Sequence, residues 1–572
     1  MQNNQPYNLK DLSIAQLKGL CDTLRDKIIT TVTNNGGHLS SNLGIVELTV
    51  ALHYVFDFPE DKLIFDVGHQ CYAHKLLSGR EAEFGTIRKR GGLSGFPKRE
   101  ESEFDSYNTG HAGTSISAAL GFAKARDLKG QNFSVIALIG DGSFNNGLVY
   151  EAFNSLKPLN TNILVILNDN GMSISPTVGS MHEYLEILSH DSLHSQKIQR
   201  HANIFERFGF SYDGVYDGND VEVMISKLKE VKEKLRSQSV ILHIYTKKGK
   251  GYSFCEENPQ DTHGVSGSNS KPMPEYSHVL GQTLCELAEK YDRIFAVTAA
   301  MTPSLGLAEF FEKFPERSID VGICEEHATI LSAALATQGI KPYYAVYSTF
   351  LQRSYDEIIV DICSQNLPVT MCIDRAGISG ADGETHQGVF DLSYLSCIPN
   401  LTIAVPKDGR EFRRMLEMSA HYDHPLVIRY PKDCRQYFDG SDAPISAGTW
   451  EILAEGDCNV AVLACGERAL SIAFRAAKLS GKMPTIINAR FVKPLDKRML
   501  DGIDAQNIIT IEDNMLTGGF GSLICSYFAE SNKIIKNFGY KDSFIPHGSV
   551  TELMEEFGLS VDDIAAYIKK CE

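Results

Sequence analysis

What the chain lacks narrows the choice first. No stretch approaches the apolar length a bilayer span needs, and the N-terminus is polar, with no apolar h-region. The 13 cysteines are scattered, with no C-x-x-C pair, and Cys363, Cys372 and Cys465 lie in apolar runs. Buried free thiols of a reducing compartment are expected, not a disulfide framework. His69 and His74 share a short segment, but there is no H-E-x-x-H and no zinc-type cluster. Basic charge is in deficit: 55 Lys and Arg face 72 Asp and Glu, a formal charge of −17, which argues against bulk binding of nucleic acid or an anionic membrane. Low-complexity tracts and short repeats are absent. What is present, 572 residues with 43% hydrophobic content and 47 glycines, is too long for one core and fits a cytoplasmic α/β enzyme of several domains.

Three segments alternate strand and helix patterns. The first closes with the run Val240 to Thr246 and a basic stretch from Lys247 to Tyr252; a polar stretch from Asn258 to Pro274 reads as a linker. The second begins with a helix near His278 to Tyr291 and ends at the run Pro425 to Pro431. A second linker lies around Asp439 to Ala447. The third alternates again and closes in a helical tail. Domains of 1–272, 273–440 and 441–572 follow, each with doubly wound α/β character.

Within the first segment, two apolar runs end in polar motifs. Phe133 to Gly140 leads into Gly140-Asp141-Gly142, and Asn162 to Asn168 into Asn168-Asp169-Asn170. Leu148, Ala152, Phe153 and Leu156 recur between them at helical spacing, predicting a helix over Phe144 to Leu156 and a βαβ unit. Asp141 and Asn170 then fall at the carboxyl ends of neighbouring parallel strands, where open α/β sheets bind ligands. Asp141 offers charge, Asn170 an amide oxygen and Met172 a backbone carbonyl, a hard-oxygen set suited to magnesium beside a phosphate. The glycines admit close backbone approach, and the Ser143–Asn146 stretch would open a helix with free amides. Asp-Gly alone is also ordinary turn chemistry; the second motif after a second strand favours the metal.

Longer strings carry a family resemblance. GDG followed by NDN resembles the thiamine-diphosphate enzymes. The strings YSTFLQRSYDEIIVDI from Tyr347, DRAGISGADGETHQG from Asp374, DVGHQCYAHKLLSG from Asp66, GGLSGFP, GHAGTSIS, NDNGMSISPTVG, TKKGKGY and INARFVKPLD resemble the 1-deoxy-D-xylulose-5-phosphate synthase family, in its order and over nearly the whole chain. The resemblance implies a transketolase-like α/β fold: two thiamine-diphosphate-binding domains with doubly wound parallel sheets, plus a largely structural transketolase C-terminal domain, assembled as a homodimer. It implies decarboxylative condensation of pyruvate with D-glyceraldehyde 3-phosphate through a cofactor-borne enamine, feeding isoprenoid and thiamine/pyridoxal precursor synthesis, with thiamine diphosphate and Mg2+ as cofactors.

Residue by residue, the resemblance implies that Asp141, Asn170 and Met172 hold the metal and that Gly142 and Ser143 contact the diphosphate. His69, Gly110, His111, Ala112 and Tyr252 line the cofactor. Glu325 bonds the pyrimidine ring nitrogen, and Phe350 stacks on that ring. Tyr347, Arg353, Arg375 and Arg429 bind substrate, the last two through the acceptor's phosphate. Asp382 and His386 lie near the acceptor hydroxyl, and His38 and His263 handle protons around the substrate.

The chain also departs from the family pattern. Phe144, Asn145 and Asn146 stand where small residues and a glycine pair are usual, and the bulk of Phe144 and Asn145 is expected to narrow the cofactor approach or alter substrate space. Glu326 replaces a glutamine and Leu305 a small residue. The segment between Ser180 and Phe205 is shorter than in most members. Two other readings stay open on these residues: ketol transfer between sugar phosphates, as in transketolase, and a non-catalytic cofactor-binding paralogue.

Overall fold

The crossover that carries Asp141 and Asn170 forms from the two apolar runs. In the computed structural model, which describes residues 9–173, 177–194, 203–268 and 273–571, these runs become strands β2 (Val135–Gly140) and β3 (Leu164–Asp169), paired in parallel. With β1 (Lys62–Phe65), β4 (Ser211–Asp217) and β5 (Val240–Tyr245) they make a parallel sheet in the order β1-β2-β3-β5-β4. Alternate residues serve opposite faces: Ile136, Leu138, Leu164 and Ile166 enter one apolar cluster, and Ala137, Ile139, Val165 and Leu167 another. Burial on both faces is why these strands read as unbroken apolar runs.

The expected single helix after β2 is two pieces. A short turn of helix covers Asp141–Phe144, and Asn146 then caps a second helix, Gly147–Leu159, its side chain accepting from the Leu148 amide at 3.1 Å. The cap resets the buried stripe to Val149, Ala152, Phe153 and Leu156. Phe144 turns inward, packing edge-on against Phe153 and Phe205 at 5.6 and 5.7 Å. Its bulk therefore fills the core and does not narrow a cofactor approach.

The chain divides into two compact units, Met1–Lys271 with Gly322–Cys324, and Pro272–Val321 with Glu325–Glu572. Much of the polar stretch read as a linker belongs to the first unit. Val265–Ser266 pairs antiparallel with Gly36–Gly37, and the Ser40 amide donates to the Thr262 carbonyl at 3.0 Å. A Cβ on Gly36, whose φ is +80°, would meet the Gly267 nitrogen at 2.9 Å, so glycine is what lets the two backbones approach.

The second unit holds two sheets. Its strands are β6 (Ile294–Thr298), β7 (Ser318–Asp320), β8 (Lys341–Tyr347), β9 (Thr370–Asp374), β10 (Thr402–Ala404), β11 (Leu426–Arg429), β12 (Glu451–Ala454), β13 (Val460–Cys465), β14 (Thr485–Asn488), β15 (Phe491–Lys493), β16 (Asn507–Met515) and β17 (Ile534–Tyr540). One sheet runs β15-β10-β11-β9-β8-β6-β7, parallel except at β15; the other runs β12-β14-β13-β16-β17, parallel except at β12. Among the described residues, no helix is long and apolar enough to cross a membrane.

Candidate functional site

In the first unit, Asp141 directly follows β2 and is buried. Its Oδ2 accepts from the Thr177 hydroxyl at 2.7 Å, while Oδ1 is buried with no hydrogen-bond partner. Burial, and then the charge of Asp169, pushes its carboxyl up to about 7. An orphaned, buried carboxylate oxygen beside a second acid is the donor a divalent cation satisfies. Asn170 and Met172 follow β3, half-buried, and the Met172 amide donates to Asn170 Oδ1 at 3.1 Å. At Gly142 a Cβ would lie 2.8 Å from that of Ser173, so a side chain there would close the loop. Lys248, which sequence reasoning left unassigned inside TKKGKGY, is buried and donates to the Ser173 carbonyl at 2.5 Å; burial brings its ammonium down to about 8.

Three expected histidines converge. The ring centroids of His38, His69 and His263 are 5.4, 5.5 and 5.6 Å apart pairwise. Ser41 Oγ meets His263 Nδ1 at 3.1 Å, and burial, then Lys248, His38 and His69, holds His263 well below the usual histidine range. Asn42, which the sequence did not single out, ties two of them: its Nδ2 donates to the carbonyls of His38 and His69, each at 2.7 Å. The turn of Gly110, His111 and Ala112 is held just beyond by Asp66, whose oxygens accept the amides of Gly113 and Ser115 at 2.8 and 3.1 Å. Tyr252 caps the short helix Ser253–Glu257 and is half-buried.

The segment just before Glu325 is built into the first unit. Asn146 Nδ2 donates to the Ile323 carbonyl at 3.0 Å, and Cys324 Sγ lies 3.3 Å from the Asn145 carbonyl. Of the two departures, Asn146 thus contacts backbone through its side chain, and Asn145 meets the Cys324 thiol through its own carbonyl.

In the second unit, Glu325 opens the helix Glu325–Thr337 and is 2% exposed, with Oε2 buried and unpartnered. Burial raises its carboxyl to about 7 against the opposing pull of Arg353, and half-buried Glu326 adds to the rise. The rings of Tyr347 and Phe350 stack at 5.7 Å and 14°, and His386 stands edge-on to Phe350 at 5.7 Å. The Arg375 guanidinium lies 4.0 Å over the Tyr347 ring, with Nη1 donating to Asp374 Oδ1 at 2.9 Å. Thr385 links this group, its carbonyl accepting from Thr349 Oγ1 at 2.8 Å and its hydroxyl meeting His386 Nδ1 at 2.9 Å. Asp382 is half-buried at the start of the turn Gly383–Thr385. Tyr347, Phe350, Arg375 and His386 are therefore brought together, and Arg353 acts on Glu325.

Arg429 is a correction. It is 3% exposed, and its guanidinium is spent on Asp391 Oδ1 (2.7 Å) and on the carbonyls of Asp513 (2.7 Å) and Gly388 (3.4 Å). The strand-end position predicts a phosphate ligand; the structure instead places Arg429 in the interior, where it holds chain segments together. Leu305 is likewise fully buried in the core.

In the first unit the oxygen set around Asp141 and Asn170 suits a divalent cation beside a phosphate; in the second, Glu325 is a buried acid with one oxygen unpartnered. Comparison with known proteins names the class. Residues 1–204 and 192–246 match the family model described as 1-deoxy-D-xylulose-5-phosphate synthase, 273–435 the transketolase pyrimidine-binding domain, and 448–564 the transketolase C-terminal domain. The chain is 46% identical to a 1-deoxy-D-xylulose-5-phosphate synthase of Dictyoglomus thermophilum, covering 99% of this chain and 98% of the relative, and 44% identical to one of Clostridium tetani at the same coverage. A solved transketolase of Campylobacter jejuni aligns over 98% of this chain and 100% of its own, with 19% identity and a TM-score of 0.45.

The fold and the matched domains define a thiamine-diphosphate enzyme of the transketolase type. Within that class, the chain belongs to the 1-deoxy-D-xylulose-5-phosphate synthase family. Members use thiamine diphosphate with a divalent metal such as Mg2+. The alignment to the Dictyoglomus relative runs over 609 positions against 572 residues here, so that relative carries residues this chain lacks. The shortened 180–205 segment lies partly outside the described residues.

Proposed function

We propose that this chain condenses pyruvate with D-glyceraldehyde 3-phosphate, releasing carbon dioxide and forming 1-deoxy-D-xylulose 5-phosphate for isoprenoid and thiamine/pyridoxal precursor synthesis. The observation that carries this reading is Glu325: a buried acid, raised to about 7, with one carboxyl oxygen left without a partner. Such a group still holds its proton in about half of the molecules at neutral pH, where an ordinary carboxyl holds almost none, and can share it with a ring nitrogen. When bound, thiamine diphosphate supplies the electron sink for decarboxylation.

The remaining roles belong to the protein. Asp141, Asn170 and the Met172 carbonyl would hold magnesium, with Gly142 and Ser143 against the diphosphate. His69, Gly110, His111, Ala112 and Tyr252 would line the cofactor, and Phe350 would stack on its pyrimidine. His263, kept neutral by burial, is suited to accept a proton, with His38 beside it. Arg375 presents a planar cation to the acceptor's phosphate, stacked on Tyr347, with Asp382 and His386 toward the acceptor hydroxyl and Arg353 biasing Glu325. We further propose a cytoplasmic homodimer with domains 1–272, 273–440 and 441–572; its 13 free cysteines support a reducing compartment.

The test replaces the donor. With thiamine diphosphate, Mg2+ and the aldehyde phosphate, pyruvate should give a five-carbon deoxyketose phosphate by mass spectrometry. Product formed only from a ketose phosphate donor would make the chain a ketol transferase instead. Calorimetry showing no magnesium-dependent binding of thiamine diphosphate would contradict both.

A further inference from the structure

The loop from Arg375 to Val389 carries Arg375, Asp382 and His386, yet much of its anchorage comes from residues beyond 448. Ile378 and Val389 are buried in the apolar cluster of the last sheet, with Val460, Val462, Ile509 and Ile511. Both backbone groups of Ile378 are held by one ion pair. Its amide donates to Asp513 Oδ1 at 3.1 Å, and its carbonyl accepts from Arg468 Nη1 at 2.8 Å; the same Nη1 donates to Asp513 Oδ2 at 2.8 Å. Tyr540 adds its hydroxyl to Asp513 Oδ1 at 2.5 Å. The fit is tight: Gly377 has φ +77°, and a Cβ there would stand 1.9 Å from Asp513 Oδ2.

The far end of the loop is gripped as well. Gln387 Nε2 donates to the Pro546 carbonyl at 3.1 Å, and its Oε1 accepts the amides of Ser379 and Gly380 at 2.7 and 3.1 Å. The Met515 amide donates to the Val389 carbonyl at 2.9 Å. Just ahead of the first hold, Arg375 keeps a left-handed φ of +55°. For a residue with a side chain, that backbone is disfavoured and persists only where neighbours fix it.

We propose that Asp513, with Arg468 and Tyr540, is a positioning residue for the aldehyde acceptor: it clamps the Gly377–Ile378 turn and so sets how Arg375, Asp382 and His386 are presented. The C-terminal segment is then part of the specificity apparatus and not support alone. This rests on the acceptor reading of Arg375 given above.

Two variants test it, Asp513→Asn, which keeps the shape and weakens the ion pair, and Arg468→Gln, which lies nearer the surface and spares the fold if the first does not. In the full-length enzyme, hydrogen exchange over residues 376–388 should rise in both. The KM for D-glyceraldehyde 3-phosphate should rise about tenfold, while the pyruvate KM and thiamine diphosphate affinity stay within about twofold. Unchanged exchange in this loop, or equal shifts in both substrate KM values, would overturn the clamp. Arg375→Ala separates the two failures. If it raises the acceptor KM while the clamp variants do not, the clamp alone is wrong; if neither does, the acceptor reading has failed.

Discussion

Arg429 Nε donates to Asp391 Oδ1 at 2.7 Å, and both side chains are almost entirely removed from water. Asp391 also accepts the Ser348 hydroxyl at 2.8 Å, so the pair ties β11 to the helix beginning at Asp391 and to the first residue after β8. Removing one partner strands a buried charge, which costs about 3–5 kcal/mol. Arg429→Met should therefore lower the denaturation midpoint strongly. A selective rise in acceptor KM at unchanged stability would return Arg429 to the phosphate.

Glu325 gives a pH prediction. Its carboxyl in the folded chain, about 7, lies above the ordinary carboxylate value. Its contribution to stability is thus fully present below pH ~4 and is lost as pH rises through about 7, a swing on the order of 2–3 kcal/mol. Without cofactor, Glu325→Gln should match the wild type near pH 4 and exceed it at pH 8 in chemical denaturation. The same variant should bind thiamine diphosphate yet lose about 10²–10⁴ in kcat. Wild-type turnover in Glu325→Gln would remove the acid from its role.

Metal removal addresses Asp141. Its orphaned Oδ1 is the charged member of the oxygen set, so chelation of Mg2+ should abolish calorimetric binding of thiamine diphosphate, and readdition should restore it. Asp141→Asn should need at least about tenfold more Mg2+ for the same cofactor affinity. Equal Mg2+ dependence in the variant would place the metal elsewhere.

Asn146 caps a helix with its side-chain oxygen and holds the Ile323 carbonyl with its nitrogen. Asn146→Ala loses both, and the cap and the abandoned carbonyl each cost about 1 kcal/mol. A loss of about 2 kcal/mol by urea denaturation is expected; a neutral variant would make these contacts idle.

Much of this was legible in the sequence, for identifiable reasons. The central strands β2, β3, β5, β8 and β13 are buried on both faces and so announce themselves as apolar runs. β7, β10 and β15 are three residues long, and β4 and β17 are edge strands with partly exposed residues; such strands carry little periodic signal. His69 and the Tyr347–His386 group sit in long matched strings, so their place in the site could be read from resemblance. Arg429 could not: a strand-end arginine looks the same facing substrate or facing Asp391, and only packing distinguishes them. Asn42, Asp513 and Lys248 were missed because each bonds a backbone group far away in sequence, which only the fold brings near.

The central claim is decarboxylative carbon–carbon bond formation by this chain. Supplied with pyruvate labelled at its carboxyl carbon, D-glyceraldehyde 3-phosphate, thiamine diphosphate and Mg2+, the enzyme should release one labelled carbon dioxide for each deoxyketose phosphate formed. Product appearing without labelled carbon dioxide, or only when a ketose phosphate replaces pyruvate, would contradict it.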